Sequence, residues 1–353
     1  MGIYGKALRY GYSNTRVKAM EAKLLGRQAM QAIVAAPDRG AVISLLIQTD
    51  YGKALTEFGG LGIRNSMIDF ALSRNMAERL GRFVDIAPKE DRAIIRSLTG
   101  KLELSNVKLA IEAKERGLPY ESIAQYVVDY GRYNATAIKE TMRESNVVEM
   151  LRRLEKNSPY SRIMADAIKA YESSGDAVAA AAAIDLGYYG MLENAITRLL
   201  EIKDPSVSII RMDIDMKNLL TLIRGKARGM PFQEIQGSLI PRGGMDANAM
   251  RNLYSNSENI SAIASKAGSF DLKQAEEQYR ESKQLILFEI AMRNQLFNKS
   301  LKMLRHAVLS FSALLAYVYL KETEIFALRI LVKSKIYGLS KDETSKLITW
   351  SEI

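Results

Sequence analysis

One helical pattern occurs three times in this chain, with copies about 110 residues apart. The copies align on Gly117, Gly229 and Gly338, which are separated by 112 and 109 residues. In each copy an acid lies fourteen residues before the glycine and a lysine three residues before it, and the apolar residues between them are spaced as on one helix face. A repeat of this length favours a scaffold of three related lobes over an enzyme built around one pocket. The copies are LELSNVKLAIEAKERGLPYESI from Leu102, IDMKNLLTLIRGKARGMPFQEI from Ile214 and TEIFALRILVKSKIYGLSKDET from Thr323.

The polar residues of the repeat have an ordinary structural explanation when each is taken alone. An acid near the start of a helix and a lysine near its end both complement the helix dipole, and a glycine after the last turn stops the helix. We therefore predict helix caps and core positions, while the recurrence of the whole order indicates duplication. The acids are Glu103, Asp215 and Glu324, and the lysines are Lys114, Lys226 and Lys335.

Length and composition favour a helical protein with more than one core. A chain of 353 residues with 48% apolar and 25% charged residues resembles an ordinary globular protein, and it is long enough for two or three domains of roughly 100–150 residues. Only seven prolines occur, and no segment shows convincing period-2 alternation. We predict an all-α fold of three similar helical lobes, at 1–125, 126–240 and 241–353.

Charge and hydropathy restrict the partners of the chain. The formal net charge of +10 suits nucleic acid, an anionic membrane surface or an acidic partner, but the basic residues do not cluster. The longest apolar stretch, 307–320, is shorter than the roughly 20 residues that span a bilayer, so we predict a buried helix there. The first residues lack the apolar core of a secretory signal. We expect a cytosolic protein, or one that reaches a membrane only through another protein.

The sequence contains no recognisable catalytic constellation. With no cysteine, it lacks disulfides, thiolate metal sites and cysteine nucleophiles, and the single histidine, His306, is predicted to end a long helix. Asp213 and Asp215 lie two residues apart on a helix and therefore face different directions. The glycine-rich loop at 59–62 lacks the lysine of a phosphate-binding loop. We predict no catalytic, cofactor-binding or metal-binding residues.

Helical spacing also predicts the individual elements. Three stretches without a strong internal stop are predicted to be single helices, at 13–36, 136–156 and 271–305. A final helical pair is predicted at 309–337 and 341–350. The glycine-bearing loop at 241–246 is predicted to be the hinge into the third lobe.

Several motifs resemble one known family. The segment Tyr319-Leu-Lys-Glu-Thr-Glu-Ile325 resembles the C-terminal KE-x-E-I-x-x-L-R signature of the C subunit of archaeal A-type and V-type rotary ATPases, called the d subunit in eukaryotes. The segment Tyr12-Ser-Asn-Thr-Arg-Val17 resembles that family's opening Y-x-N-x-R-V/I motif. Asp50-Tyr51 with Leu55 resembles its next helix turn, and residues 213–228 resemble its central repeat. The third repeat departs from the pattern, since it has Ala327 where the first two have Asn106 and Asn218.

The resemblance implies a fold and a role. It implies a funnel-like, all-helical protein whose three lobes surround a pseudo-threefold axis. Such a protein sits between the central-stalk shaft subunits and the membrane proteolipid ring, on the cytoplasmic face, and transmits torque for proton or sodium transport without catalysis or a cofactor. Glu103, Asp215 and Glu324 would then recur around the axis, either as caps inside each lobe or as partner-binding residues of the socket.

Two other functions are also compatible with the sequence. A free-standing α-helical scaffold that binds nucleic acid or another acidic partner would also explain the repeats and the charge. Its period of about 110 residues, however, far exceeds the roughly 20–50 residues of known helical solenoids. An enzyme with a novel helical pocket is the third hypothesis, which the lack of a recognisable catalytic constellation does not favour.

Overall fold

The computed structural model of the protein describes residues 3–199, 205–306 and 309–348. Within these ranges all regular structure is helical, which confirms the all-α prediction. The described α-helices are α1 (Ile3–Glu21), α2 (Arg27–Ala35), α3 (Arg39–Ile47), α4 (Gly52–Glu57), α5 (Asn65–Ile86), α6 (Arg92–Glu115), α7 (Tyr120–Ile123), α8 (Ala135–Thr141), α9 (Val147–Glu155), α10 (Ser161–Ser174), α11 (Ala177–Leu199), α12 (Pro205–Ala227), α13 (Phe232–Ile235), α14 (Ala247–Ser255), α15 (Ile260–Ser265), α16 (Lys273–Ser282), α17 (Ile286–His306), α18 (Phe311–Ile336) and α19 (Lys341–Lys346).

After α1, the helices follow one another in three groups of six: α2 to α7, α8 to α13 and α14 to α19. Each group has three shorter helices, then two long ones of 21–26 residues, then a short one of 4–6 residues. The second long helix of each group (α6, α12 or α18) carries the repeat found in the sequence. The predicted lobe boundaries and the funnel-like shape stay predictions.

The six long helices pack on one another in a closed cycle. Within each group the two long helices are in contact, as α5 with α6, α11 with α12 and α17 with α18. Between groups, α6 packs on α11, α12 packs on α17, and α18 packs back on α5. The last group of helices therefore contacts the first, which closes the cycle.

Helix α1 strengthens this closure at its contact with α18. The Asn14 side chain accepts a hydrogen bond from the backbone N–H of Leu309 (2.8 Å) and donates one to the carbonyl of Ser310 (3.2 Å), just before α18 begins. Arg9 forms an ion pair with the buried Asp91, which lies just before α6. These contacts fix α1 to the end of the molecule where α6 and α18 start.

The predicted buried helix at 307–320 is confirmed for its described part. Residues 311–320 are all buried and form the first ten residues of α18, while residues 307 and 308 lie outside the described residues. No helix in the described ranges is both long enough and apolar enough to cross a membrane. The second half of the predicted final pair is α19, and residues 349 and 350 also lie outside the described part.

Three predicted single helices are in fact pairs, so those predictions are wrong. Residues 13–36 contain the end of α1 and the whole of α2, separated by 22–26, because tertiary contacts hold that loop. Residues 136–156 contain α8 and α9, since Asn146 accepts a hydrogen bond from Glu149 N–H and starts a new helix. Residues 271–305 contain α16 and α17, separated where Lys283 takes a left-handed conformation (φ 57°).

The break at Lys283 leads to a stability prediction. Replacing Lys283 by glycine removes the strain of a side chain at positive φ, about 1–2 kcal/mol, but adds freedom to the unfolded chain, about 0.5–1 kcal/mol. We expect Lys283→Gly to raise the free energy of unfolding slightly in chemical denaturation. The matched control, Glu277→Gly at an exposed interior position of α16, should lower it by about 1 kcal/mol. A loss in both variants would contradict the assignment of strain.

Candidate functional site

Each acid of the repeat is buried and holds a loop from elsewhere in the chain. Glu103 in α6 accepts hydrogen bonds from the backbone N–H groups of Arg132 (2.6 Å) and Tyr133 (3.2 Å). Its other oxygen accepts one from the Tyr160 hydroxyl (3.1 Å). Gly131 adjoins the carboxylate so closely that an added Cβ would lie 2.3 Å from the carboxyl carbon. The side chain therefore fixes the backbone just before α8.

Asp215 in α12 makes the equivalent contacts one repeat later. It accepts hydrogen bonds from the backbone N–H groups of Gly244 (2.8 Å) and Met245 (3.2 Å), and from the Ser269 hydroxyl (2.6 Å). An added Cβ at Gly243 would lie 2.3 Å from Asp215 Oδ1. The loop predicted to be a hinge is thus the segment that Asp215 holds, just before α14.

Glu324 in α18 is the third acid, and it holds the beginning of the chain. It accepts hydrogen bonds from the backbone N–H of Leu25 (2.5 Å) and from the Tyr51 hydroxyl (2.5 Å). Lys321, which is also fully buried, lies 2.9 Å from the same carboxylate oxygen. A contact across 299 residues of sequence therefore fixes the loop just before α2.

The three lysines hold the opposite ends of the same short helices. Lys114 donates to the carbonyl of Met142 (2.9 Å) at the end of α8. Lys226 donates to the carbonyl of Tyr254 (3.0 Å) at the end of α14, and Lys335 to that of Val34 (2.9 Å) at the end of α2. Each repeat helix thus holds one short helix with an acid at its N-terminal end and a lysine at its C-terminal end. We call this arrangement the helix clamp, and its charges complement the dipole of the clamped helix.

The predicted placement of the acids needs one correction. Glu103, Asp215 and Glu324 lie in the middle of α6, α12 and α18, which begin about ten or more residues earlier, so they are not near the starts of their own helices. They act instead at the starts of other helices. All three carboxylates are occupied by internal contacts, and partner binding by them stays a prediction.

The clamp also explains why the third repeat has Ala327. Asn106 exchanges hydrogen bonds with the backbone N–H and carbonyl of Val128, and Asn218 does the same with Ile240. Val128 and Ile240 each lie five residues before a backbone N–H that the repeat acid holds, at Tyr133 and Met245. The equivalent position in the third repeat is Met20, five residues before Leu25. Met20 lies inside α1, where helical hydrogen bonds satisfy its backbone. No asparagine is needed there.

A second set of recurring positions brings charges from all three repeats together. The residues sixteen positions before the repeat glycines are Lys101, Asp213 and Glu322. Lys101 Nζ lies 2.8 Å from Glu322, and Asp213 accepts a hydrogen bond from the hydroxyl of Tyr189 (2.7 Å). Burial alone would lower the pKa of Lys101, but the carboxylates of Glu322 and Asp213 raise it above its ordinary value. Tyr319 of α18 also donates a hydrogen bond to Asp213 (3.4 Å), so the three repeat helices meet at this layer.

The same helix face continues away from this layer, and all three helices are exposed at its far end. Positions four, seven and eleven residues further on lie on one side of a helix with the first. We call these four positions the central face. The side chains of Glu322 and Lys101 in the first layer are 15% and 29% exposed, whereas those of Glu112, Arg224 and Lys333 in the fourth are 53–58% exposed. The later layers are Ser105, Lys217 and Phe326; Lys108, Leu220 and Arg329; and Glu112, Arg224 and Lys333.

Ion pairs from the central face join each group of helices to the next. Lys108 pairs with Asp185 of α11 (2.7 Å), and Arg224 pairs with Glu289 of α17 (3.0 Å). At the third junction, Arg329 pairs with Asp69 of α5 (3.2 Å). Because these pairs are partly exposed, each stabilises the junction by at most about 1 kcal/mol. They specify which helices are neighbours more than they stabilise the fold.

The comparisons with known proteins agree with each other. The family model described as ATP synthase (C/AC39) subunit matches residues 13–347. This chain belongs to that family. The A-type ATP synthase C subunit of Thermococcus kodakarensis is 29% identical to it over 351 residues, covering 98% of this chain and 92% of the relative. The A-type ATP synthase C subunits of Thermoplasma acidophilum and Methanocaldococcus jannaschii are 24% and 23% identical, covering 94% and 96% of this chain and 96% and 86% of the relatives.

In this member of the family, the Asp50-Tyr51 motif and the C-terminal motif meet in one buried network. Tyr51 donates to Glu324, and Lys321 Nζ lies 2.8 Å from the Tyr51 hydroxyl and 4.0 Å from the centre of its ring. Asp50 lies 3.9 Å from Lys321 and accepts a hydrogen bond from Arg79 Nε (2.7 Å). Two of the segments that resemble the family, Asp50-Tyr51 and Tyr319–Ile325, thus join the first group of helices to the last.

Sequence reasoning found the clamp residues but missed the central face. The signal was available, because Lys101, Asp213 and Glu322 share one position in the repeat and their helical neighbours follow at four, seven and eleven residues. Their charges differ in sign, so they did not stand out as a motif. Two smaller predictions are confirmed: Asp213 and Asp215 face different partners, and His306 ends α17, with Nδ1 2.7 Å from the carbonyl of Lys302.

Within residues 3–199, 205–306 and 309–348, no group of three or more His, Cys, Asp or Glu side chains is arranged to hold a metal ion.

Two glycines with the same backbone conformation test the clamp. Gly131 and Gly117 both have φ of 67°, but only at Gly131 would a Cβ contact Glu103, whereas Gly117 has open space around it. Gly117→Ala should therefore cost about 1–2 kcal/mol of unfolding free energy from backbone strain alone. Gly131→Ala should cost about 1–3 kcal/mol more, because the carboxylate must move. Equal losses in chemical denaturation would contradict the close contact.

Proposed function

We propose that this protein is a non-catalytic central-stalk subunit of an A-type or V-type rotary ATPase. It couples the rotating shaft subunits to the membrane proteolipid ring and transmits torque for proton or sodium transport, bound peripherally at the cytoplasmic face. Membership of the ATP synthase (C/AC39) family supports a place in such a complex. The observation that carries the coupling role is the central face, where three helices meet at one layer and the side chains at the far end of the same face are exposed.

The central face supplies a socket in this proposal. The shaft enters from the end where Gly117, Gly229 and Gly338 terminate the repeat helices, and it stops at the layer of Lys101 and Glu322. The long helices form the wall, and their closed cycle of contacts resists the sideways force of a turning shaft. Polar and charged side chains along the wall give specificity through electrostatic complementarity.

The helix clamps give the socket its stiffness. Torque passes through the protein only if its helices do not shift against one another under load. Each clamp holds a short helix by both ends, and the third clamp joins the last group of helices to the first. Hydrogen bonds to charged groups contribute about 1.5–3 kcal/mol each, so the clamps are stronger than ordinary loop contacts.

Co-purification tests the assignment as a whole. The full chain should be retained by a detergent-solubilised proteolipid ring and, separately, by the assembled shaft subunits. Absence of both interactions at low and at moderate salt would contradict the proposal. Steep salt-dependent binding to RNA or DNA, with neither of these partners retained, would instead favour the nucleic-acid scaffold.

A bulky side chain on the central face tests the socket itself. Ser105 is exposed in the second layer, so Ser105→Trp should obstruct the shaft and weaken its binding by about tenfold or more, because a filled socket loses close packing. Binding to the ring should not change. Ser173→Trp, at an exposed position outside the socket on α10, is the matched control and should affect neither partner. If Ser105→Trp binds the shaft like the control, the socket is elsewhere.

A further inference from the structure

The outer face of α1 carries an apolar stripe that the fold does not use. Tyr4, Leu8 and Tyr12 are 85%, 91% and 66% exposed, and their spacing of four residues places them on one side of the helix. They make up three of the nine exposed large apolar side chains in the described ranges. The opposite side of α1 packs into the core through Val17 and Met20. We call Tyr4, Leu8 and Tyr12 the α1 stripe.

The charges around the α1 stripe are almost entirely basic. Arg16, four residues after Tyr12, and Lys18 flank the two sides of the stripe and are exposed. The only acid of α1 is Glu21 in its last turn, which pairs with Lys18. Arg9 is directed inward to Asp91. A narrow apolar stripe with basic residues beside it is typical of helices that lie in the headgroup region of an anionic bilayer.

The position of α1 relative to the socket indicates which side of the molecule the stripe serves. Arg9 and Asn14 attach α1 beside the starts of α6 and α18. The exposed end of the central face is at the opposite end of these helices. In the proposed function the shaft enters at that exposed end, so the stripe lies on the side that faces the membrane, and this step rests on the proposed function.

We propose that the α1 stripe docks on the surface of an anionic lipid bilayer. Tyr4 and Tyr12 place their rings among the headgroups with their hydroxyls in water, while Leu8 enters the acyl boundary between them. Arg16 and Lys18, on the two flanks of the stripe, contact the lipid phosphates. The contact stabilises the protein against tilting under torque and adds to its binding to the ring.

Co-sedimentation with protein-free vesicles tests the proposal on the full chain. Vesicles of equal phosphatidylglycerol and phosphatidylcholine should bind the protein about tenfold more strongly than phosphatidylcholine alone, and added salt should weaken the binding. The variant Tyr4→Ser/Leu8→Ser/Tyr12→Ser should reduce the partition coefficient by about tenfold or more. The control Leu61→Ser/Val178→Ser/Tyr337→Ser changes three other exposed apolar residues and should bind like the unmodified chain.

A charge variant separates the basic residues from the stripe. Arg16→Glu/Lys18→Glu should lose the preference for anionic vesicles, whereas Arg152→Glu/Lys169→Glu, with the same change of net charge on exposed residues elsewhere, should keep it. Circular dichroism should show that all four variants remain helical. If the stripe variant loses helicity, the Arg16→Glu/Lys18→Glu variant decides the test, because both residues are exposed on the outside of α1.

Three outcomes would overturn the proposal. They are equal binding of the stripe variant and the unmodified chain, equal binding to neutral and anionic vesicles, and loss of ring binding by the stripe variant when the unmodified chain binds no vesicles. The last would make the stripe a protein contact. Because the vesicles contain no proteolipid, failure here leaves the co-purification test of the proposed function independent.

Discussion

The buried carboxylate of Glu324 is the contact on which the closure of the chain depends. Two repeats fasten the segment that follows them, through Glu103 and Asp215, whereas the third fastens a segment far earlier in the sequence. Glu324 holds the loop at Leu25, and the first group takes the place of a fourth. A carboxylate is costly to bury, and here backbone and hydroxyl donors offset the cost with charge-assisted hydrogen bonds. The three groups of helices, which follow one another in the sequence, are thereby joined into a closed cycle in space.

The third clamp differs from the other two in its partner segment and in an added buried lysine. Its partner segment follows α1, whose helical backbone satisfies itself, and this accounts for Ala327 in place of an asparagine. It also contains Lys321, which brings a buried positive charge between Asp50 and Glu324. Buried ion pairs often stabilise little but select one arrangement over others. At this junction between distant parts of the chain, the buried ion pairs hold the first and last groups of helices in one relative position.

The sequence predicted what local chemistry controls and missed what distant contacts control. The all-α class and the ends of the repeat helices followed from spacing and from glycines such as Gly117. The break at 22–26 was missed because a residue 299 positions away holds it, and the break at Lys283 because neither glycine nor proline marks it. The acids were identified, but their targets were not, since no local signal connects Glu103 to Arg132. The central face needed all three repeats aligned at once.

Amide hydrogen exchange in a Glu324→Gln variant tests the closure most directly. The neutral side chain keeps its shape but loses the charged acceptor, so residues 22–35 should exchange about 10-fold to 100-fold faster. Residues 132–141, which Glu103 holds, should keep their protection, and Glu103→Gln should give the reverse pattern. Unchanged protection at 22–35, or an equal loss at both segments, would contradict the account in which each repeat acid fastens its own distant loop.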